Sequence, residues 1–200
     1  MKKLILAMFL CFGFHAFAQS GPSIKETFLK IKSQSKTDPN DKAVYNLLDE
    51  FYQKSLQAET DEMTPETIQQ IEKLASDPNT KNLHILMLFL MYQQYLSRTV
   101  ASKKAPDTKF QIETMNLLEN ETKDIYGKIP AIIYIYKAEA LDDAQNKEEA
   151  KLTVAKGLQE YPDSVPLKVY SYLNSKDPTL KNDLIKNHAR HWMVQQFDIK

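Results

Sequence analysis

The stretch AIIYIYKAEALDDAQNKEEAKLTVAKGLQEYPDS, residues 131–164, decides the fold. Residues 131–144 are strongly apolar over the length of a helix, and residues 147–160 are amphipathic over a similar length. Pro162 and Pro166 enclose a tight turn after the second segment. The stretch therefore predicts two consecutive helices.

The same organisation continues on both sides of this pair. Helix-length segments are separated by Pro, Asp and Asn turns, and the alternating pattern of a β-strand is absent. Thr64 and Pro65 are typical of a helix start, and Asp107 or Thr108 is placed to cap a later helix. Asp177 is placed to cap a single final helix over residues 178–197. The sequence predicts an all-α protein of about seven to eight helices.

Residues 85–92 (ILMLFLMY) are apolar on every side, which indicates a helix surrounded by other helices. A membrane span needs roughly 20 apolar residues, so we expect a core helix and no stable membrane insertion. His84 directly precedes this run, and we expect it to be partly buried.

Residues 131–164 resemble a tetratricopeptide repeat (TPR), a unit of two antiparallel helices with small residues at their crossing. Tyr134 takes the family's aromatic position, and Pro162 closes the second helix. Three further positions match the family pattern: Ala138, Ala150 (within Glu148-Glu149-Ala150) and Val154. The sequence departs from the pattern at Lys137, Leu141 and Gly157, the last of which replaces the usual Ala.

The resemblance implies a TPR-like right-handed solenoid, with an irregular helical bundle as the alternative. Repeats of this type stack at least three together, and residues 42–75 and 81–128 are candidates for earlier pairs. The first helix of each pair lines a groove that binds peptides or helices. The groove-facing positions implied here are Ile132, Ile135, Glu139, Asp142 and Asp143.

In that groove the isoleucines would contact a partner side chain, and the three carboxylates would pair with Lys or Arg of the partner. The alternative is that the isoleucines are ordinary core and the acids a solvated helix end. Tyr95 and Tyr136 are further candidates for the groove, because tyrosine is enriched at protein interfaces.

The chain begins with the pattern of a bacterial secretory signal peptide. Lys2 and Lys3 precede an apolar run over residues 4–14, and Ala16-Phe17-Ala18 presents small residues at a cleavage site. We expect cleavage after Ala18 and a periplasmic or secreted mature protein. An uncleaved anchor, or a lipoprotein attached at Cys11, is the alternative.

These features predict three parts of the chain. Residues 1–18 are the signal peptide, and residues 19–41 are an N-terminal helix and linker. Residues 42–200 are the TPR-like domain, with its best repeat at 131–164 and capping helices over 165–200.

Composition excludes several functions. Cys11 is the only cysteine, so the mature chain has no disulfide and no thiolate nucleophile. The formal net charge is zero and only Arg98 and Arg190 are arginines, which does not favour nucleic-acid binding. The chain also has no glycine-rich phosphate loop. We expect no cofactor.

His188 and His191 are the weak candidates for a metal site. They lie three residues apart on the predicted final helix and would share one face. Two imidazoles can bind Zn²⁺, but a competent site needs a third protein ligand, and Asp183 is not a natural one. The alternative is that His188 is an ordinary core histidine.

We therefore predict an exported, non-enzymatic TPR-like module that binds a protein or peptide. An inhibitor, immunity or chaperone-type partner of one specific protein is the first alternative. A metal-dependent enzyme that uses His188 and His191 is the least favoured.

Overall fold

The computed structural model describes residues 23–59 and 65–200. These residues form ten α-helices and one π-helical turn, and none of them belongs to a β-strand. The helices are α1 (Ile24–Gln34), α2 (Ala43–Tyr52), α3 (Pro65–Ser76), α4 (Leu83–Ala101), α5 (Thr108–Tyr126), α6 (Ala131–Asp143), α7 (Lys147–Glu160), α8 (Val165–Ser175), α9 (Pro178–His188) and α10 (Trp192–Gln196); the π-helical turn (Gln53–Gln57) continues α2. The predicted all-α fold is confirmed.

Local sequence signals explain several of the helix ends. The Asp107 side chain accepts a hydrogen bond from the Phe110 N–H and caps α5, and Asp177 caps α9 in the same way. Gly127 ends α5 with φ +70°, in the left-handed region that glycine enters without a steric penalty. These caps confirm the predicted starts of two helices. The predicted cap Thr64 and the predicted signal peptide lie outside the described residues.

The predicted final helix is wrong, because the structure has two helices there. α9 ends at His188, and α10 begins at Trp192 after a short turn. The His191 side chain accepts a hydrogen bond from the Met193 N–H and so caps a new helix. This break contributes to a helix count above the predicted seven to eight.

Helices α4 to α9 pack in chain order, each against the next. The chain N-terminal to them folds back, so that α1 contacts α4 and α5, and α2 contacts α4 and α6. α4 is packed by α1, α2, α3 and α5, as its apolar sequence predicts. None of the described helices combines the length and the hydropathy needed to cross a bilayer.

The end of α2 and the π-helical turn that continues it contact the loop that follows the α6–α7 pair. The Tyr52 hydroxyl donates to Ser164 Oγ at 2.8 Å, and the Gln57 amide donates to the Asp163 carbonyl, 106 residues away. In an ideal solenoid each repeat contacts only its neighbours. Here the two hydrogen bonds link segments that are 112 and 106 residues apart in the chain.

The core has two parts. The larger cluster is built mainly on α2, α4 and α6, and its buried members include Phe51, Phe89 and Ile132. A smaller cluster near the C-terminus contains Val169, Leu184 and four further buried residues (Val165, Met193, Val194 and Ile199). Tyr170 and Trp192 pack against both clusters, so they lie at the junction between them.

Candidate functional site

A pocket of about 200 Å³ lies at the junction of the two core clusters. Its wall combines α4, α5, α6, α7, α8 and α10 with Leu56 of the π-helical turn. The lining is mainly apolar and aromatic, with a group of acidic and amide side chains. The residues are Leu56, Leu96, Val100, Gln111, Ile135, Tyr136, Ala138, Glu139, Asp142, Asp143, Ala150, Val154, Tyr170, Leu173, Asn174, Trp192, Met193, Gln196 and Phe197.

One face of α6 contributes most of the residues that the sequence predicts for the groove. Ile135, Tyr136, Glu139, Asp142 and Asp143 all line the pocket. Their spacing of three and four residues places them on one side of the helix. Ile135 and Tyr136 are buried at the inner end, and the acids follow toward the C-terminus of α6, where Asp142 is exposed.

Ile132 and Tyr95 do not line the pocket. Ile132 is fully buried in the larger core cluster, because the N-terminal half of α6 is enclosed by neighbouring helices. The Tyr95 hydroxyl accepts a hydrogen bond from the Asp107 N–H, and its ring packs on Phe110 with ring centroids 4.5 Å apart. Tyr95 therefore ties α4 to the start of α5.

Glu139 is linked to the aromatic wall. The Tyr170 hydroxyl donates a hydrogen bond to its Oε1. Burial, and secondly the Glu139 charge, raise the pKa of Tyr170 well above its usual value. Burial and the same charge also raise the pKa of Tyr92. Both phenols stay neutral at physiological pH, so Tyr170 is the donor in its bond to Glu139.

Two buried polar atoms of lining residues lack hydrogen-bond partners. Gln111 is only 2% exposed and its Oε1 accepts no hydrogen bond. The Trp192 Nε1–H is also buried without an acceptor. Buried polar groups are nearly always paired, so each such atom needs an explanation. Sequence reasoning missed both residues, because no local pattern shows that side chains of α5 and α10 line the same pocket as α6.

The two candidate metal ligands are separated by the break between α9 and α10. His188 is the last residue of α9, and its Nε2 lies 4.0 Å from Asp183 Oδ2. His191 is 3% exposed, and its Nε2–H donates to the Leu56 carbonyl at 2.9 Å. The prediction that both share one helix face is wrong, because His191 caps α10. The described part of the chain contains no group of three or more metal-ligating side chains that could hold an ion.

A separate polar cluster joins three helices away from the pocket. His84 is fully buried, not partly buried as the sequence predicts, and its Nε2 lies 3.1 Å from Glu121 Oε1. The same carboxylate is 2.6 Å from Lys32 Nζ. Burial lowers the pKa of His84, although Glu121 opposes this. The cluster connects α1, α4 and α5, with His84 enclosed and Lys32 at the surface, its side chain 42% exposed.

No family model, curated protein or solved structure matches this chain. Function is therefore inferred from the geometry of the pocket.

Proposed function

We propose that this protein is an exported, non-enzymatic interaction module of TPR-like type that binds a protein or peptide in the periplasm. The observation that supports this proposal is the shared pocket of Ile135, Tyr136, Glu139, Asp142 and Asp143. A concave apolar wall with convergent polar groups is the usual form of a binding site. Aromatic side chains such as Tyr136 and Trp192 are also the residue types that dominate protein interfaces.

The close crossing of α6 and α7 is compatible with the TPR-like part of the proposal. The Tyr134 hydroxyl at the start of α6 donates to Glu160 Oε1 at the end of α7, at 2.7 Å, so the two helices run antiparallel. Ala138 and Ala150 are buried between them at 3% exposure each. These are the small positions on which the sequence resemblance depends.

Affinity purification tests the binding function. Residues 19–200 are used to capture partners from the native envelope extract, and co-eluting proteins are identified by mass spectrometry. The pocket variant is Asp142→Lys with Asp143→Lys. The control is Glu72→Lys with Asp124→Lys, which changes the same charge on exposed positions outside the pocket. Circular dichroism checks that both variants fold.

We expect one stoichiometric protein that the wild type and the control retain and the pocket variant loses. An enzyme that is inactive in this complex would favour the inhibitor or immunity alternative. Equal loss in both variants would refute the pocket as the binding site. Absence of any partner, together with zinc in the purified protein, would favour the metal-dependent enzyme.

The export part of the proposal has a separate test. An intact mass measured on protein from the envelope fraction should correspond to a chain that begins at Gln19. A mass that includes residues 1–18, or a lipid on Cys11, would contradict cleavage after Ala18.

A further inference from the structure

The charge of the pocket lining indicates what kind of group it binds. Glu139, Asp142 and Asp143 lie on consecutive turns of α6 and all contribute to the wall. Among the described residues that line the pocket there is no Lys, Arg or His. Carboxylates are hydrogen-bond acceptors only. Complementary charge therefore favours a cationic group at this end of the pocket.

Gln111 provides an independent indication on a different helix. The residue belongs to α5 and is only 2% exposed, and no donor bonds to its Oε1. A buried acceptor without a hydrogen bond lowers the stability of the folded protein, and a ligand that donates a hydrogen bond to it removes this penalty. A cation is rich in N–H donors, so it supplies what this carbonyl oxygen lacks.

The rest of the wall suits an aliphatic chain. Leu56, Leu96, Val100 and Leu173 come from three different segments, the π-helical turn, α4 and α8, and give the pocket apolar sides. Its volume of about 200 Å³ lies below the roughly 300–1,000 Å³ typical of sites for drug-sized ligands. A single long side chain with an apolar stem and a charged head fits this size and polarity.

The Trp192 side chain indicates whether the bound cationic group belongs to a peptide or to a free amine. Its Nε1–H is a donor without an acceptor, and indole cannot act as an acceptor in return. A protonated free amine offers donors only. A basic residue within a peptide also brings backbone carbonyl groups, which can accept from the indole.

We propose that the pocket receives one lysine or arginine side chain of a partner peptide, with its charged head among Glu139, Asp142, Asp143 and Gln111. The aliphatic stem packs on the leucine and valine walls, and a partner carbonyl accepts from Trp192. This inference rests on the proposed binding function, because it specifies the chemistry of the partner at the same site.

The chain contains one tryptophan, so fluorescence reports on this pocket directly. Trp192 emission is titrated with three capped pentapeptides of alanine that carry lysine, arginine or norleucine at the centre. Norleucine keeps the apolar stem and removes the charge. A fourth titration with n-butylamine provides the free-amine comparison.

The pocket variants are Glu139→Gln and Asp142→Asn, and the matched control is Glu148→Gln. Glu148 is an exposed acid on α7 with an 84% exposed side chain, and it does not line the pocket. Asp142 is itself exposed, so Asp142→Asn keeps the test usable if Glu139→Gln impairs folding. Thermal unfolding of each variant is recorded beside the titrations.

We expect saturable binding of the lysine or arginine peptide, at least about tenfold tighter than the norleucine peptide, as befits hydrogen bonds to charged groups. Glu139→Gln and Asp142→Asn should each weaken it, and Glu148→Gln should not. Equal binding of norleucine, or no saturable binding of either basic peptide, overturns the inference. Equally tight binding of n-butylamine overturns the peptide as occupant.

These outcomes separate the inference from the proposed function. If the envelope capture yields a partner that the pocket variant loses, while basic peptides do not bind, then only the inference fails. If neither experiment detects binding, both fail.

Discussion

Gly157 offers a direct test of how tightly α6, α7 and α8 pack. A Cβ atom at this position would lie 2.9 Å from Leu167 Cδ1 and 3.1 Å from both Cβ and Cγ of Tyr134. Leu167 is completely buried, and Tyr134 is 3% exposed and bonded through its hydroxyl to Glu160. Because both side chains are buried, we expect that neither can move away without displacing its own neighbours. We predict that Gly157→Ala destabilises the protein although alanine is the better helix former.

Two opposing effects determine the size of the change. Replacing glycine by alanine inside a helix stabilises it by about 1 kcal/mol. Carbon atoms normally approach to about 3.5–4.0 Å, so the new methyl group is roughly half an ångström too close to two side chains. Overpacking of this kind costs about 1–3 kcal/mol. The net result is a loss of about 1 kcal/mol in the free energy of unfolding, within a range of about 0–2 kcal/mol.

Urea and thermal unfolding, followed by far-UV circular dichroism, measure this change. For a chain of this length a loss of about 1 kcal/mol lowers Tm by about 2–4 °C. The control is Ala155→Gly on the exposed side of α7, which should lose about 1 kcal/mol from helix propensity alone. A Gly157→Ala variant that gains as much stability as Ala155→Gly loses would refute the close packing of these three helices.

Three further predictions follow from buried residues. Burial lowers the pKa of His191 below its usual value of 6.5, and the nearby His188 also lowers it. The unfolded chain therefore binds a proton at higher pH than the folded chain. Stability should fall as the pH drops below 6.5, by up to about 1.4 kcal/mol per pH unit. Urea unfolding across pH should show a flatter profile for His191→Gln, and an unchanged profile would contradict this assignment. His191→Ala should lower the free energy of unfolding by about 1–3 kcal/mol. It should also increase the rate of amide hydrogen exchange in α10 more than in α6. An equal increase in both helices would contradict a local role for His191. Ile132→Ala should cost about 2–5 kcal/mol in denaturant unfolding and leave the peptide affinity of the folded protein unchanged; a selective loss of affinity would place Ile132 in the site.

The sequence predicts the helices well where the signal is local. Asp107, Gly127 and Asp177 act at the ends where they stand in the sequence, because capping involves only the next few backbone groups. The apolar run at 85–92 predicts a surrounded helix, because no face of it tolerates water. The alignment of Ile135 with Glu139 and Asp142 also follows from helical periodicity alone.

The break before α10 is a case in which periodicity misleads. The spacing of Leu184, His188 and Trp192 continues an apolar stripe, which predicts one long helix. In the structure the His191 ring donates to the Leu56 carbonyl, and the Trp192 N–H donates to the Glu59 carbonyl at 3.2 Å. These bonds come from a segment more than a hundred residues away, so no local rule includes them.

The sequence by itself thus determines the all-α class, the helices whose ends have local caps and the acidic face of α6, because each depends on backbone and side chains only a few residues apart. Only the tertiary structure decides which residues that face meets. Gln111 reaches it because α5 packs beside α6, and Trp192 because α10, held against α8 and α9, lines the same pocket. Ile132 is excluded because the first half of α6 is enclosed. A pocket between two core clusters depends on how distant helix faces fit together, and that fit is a property of the packed chain as a whole.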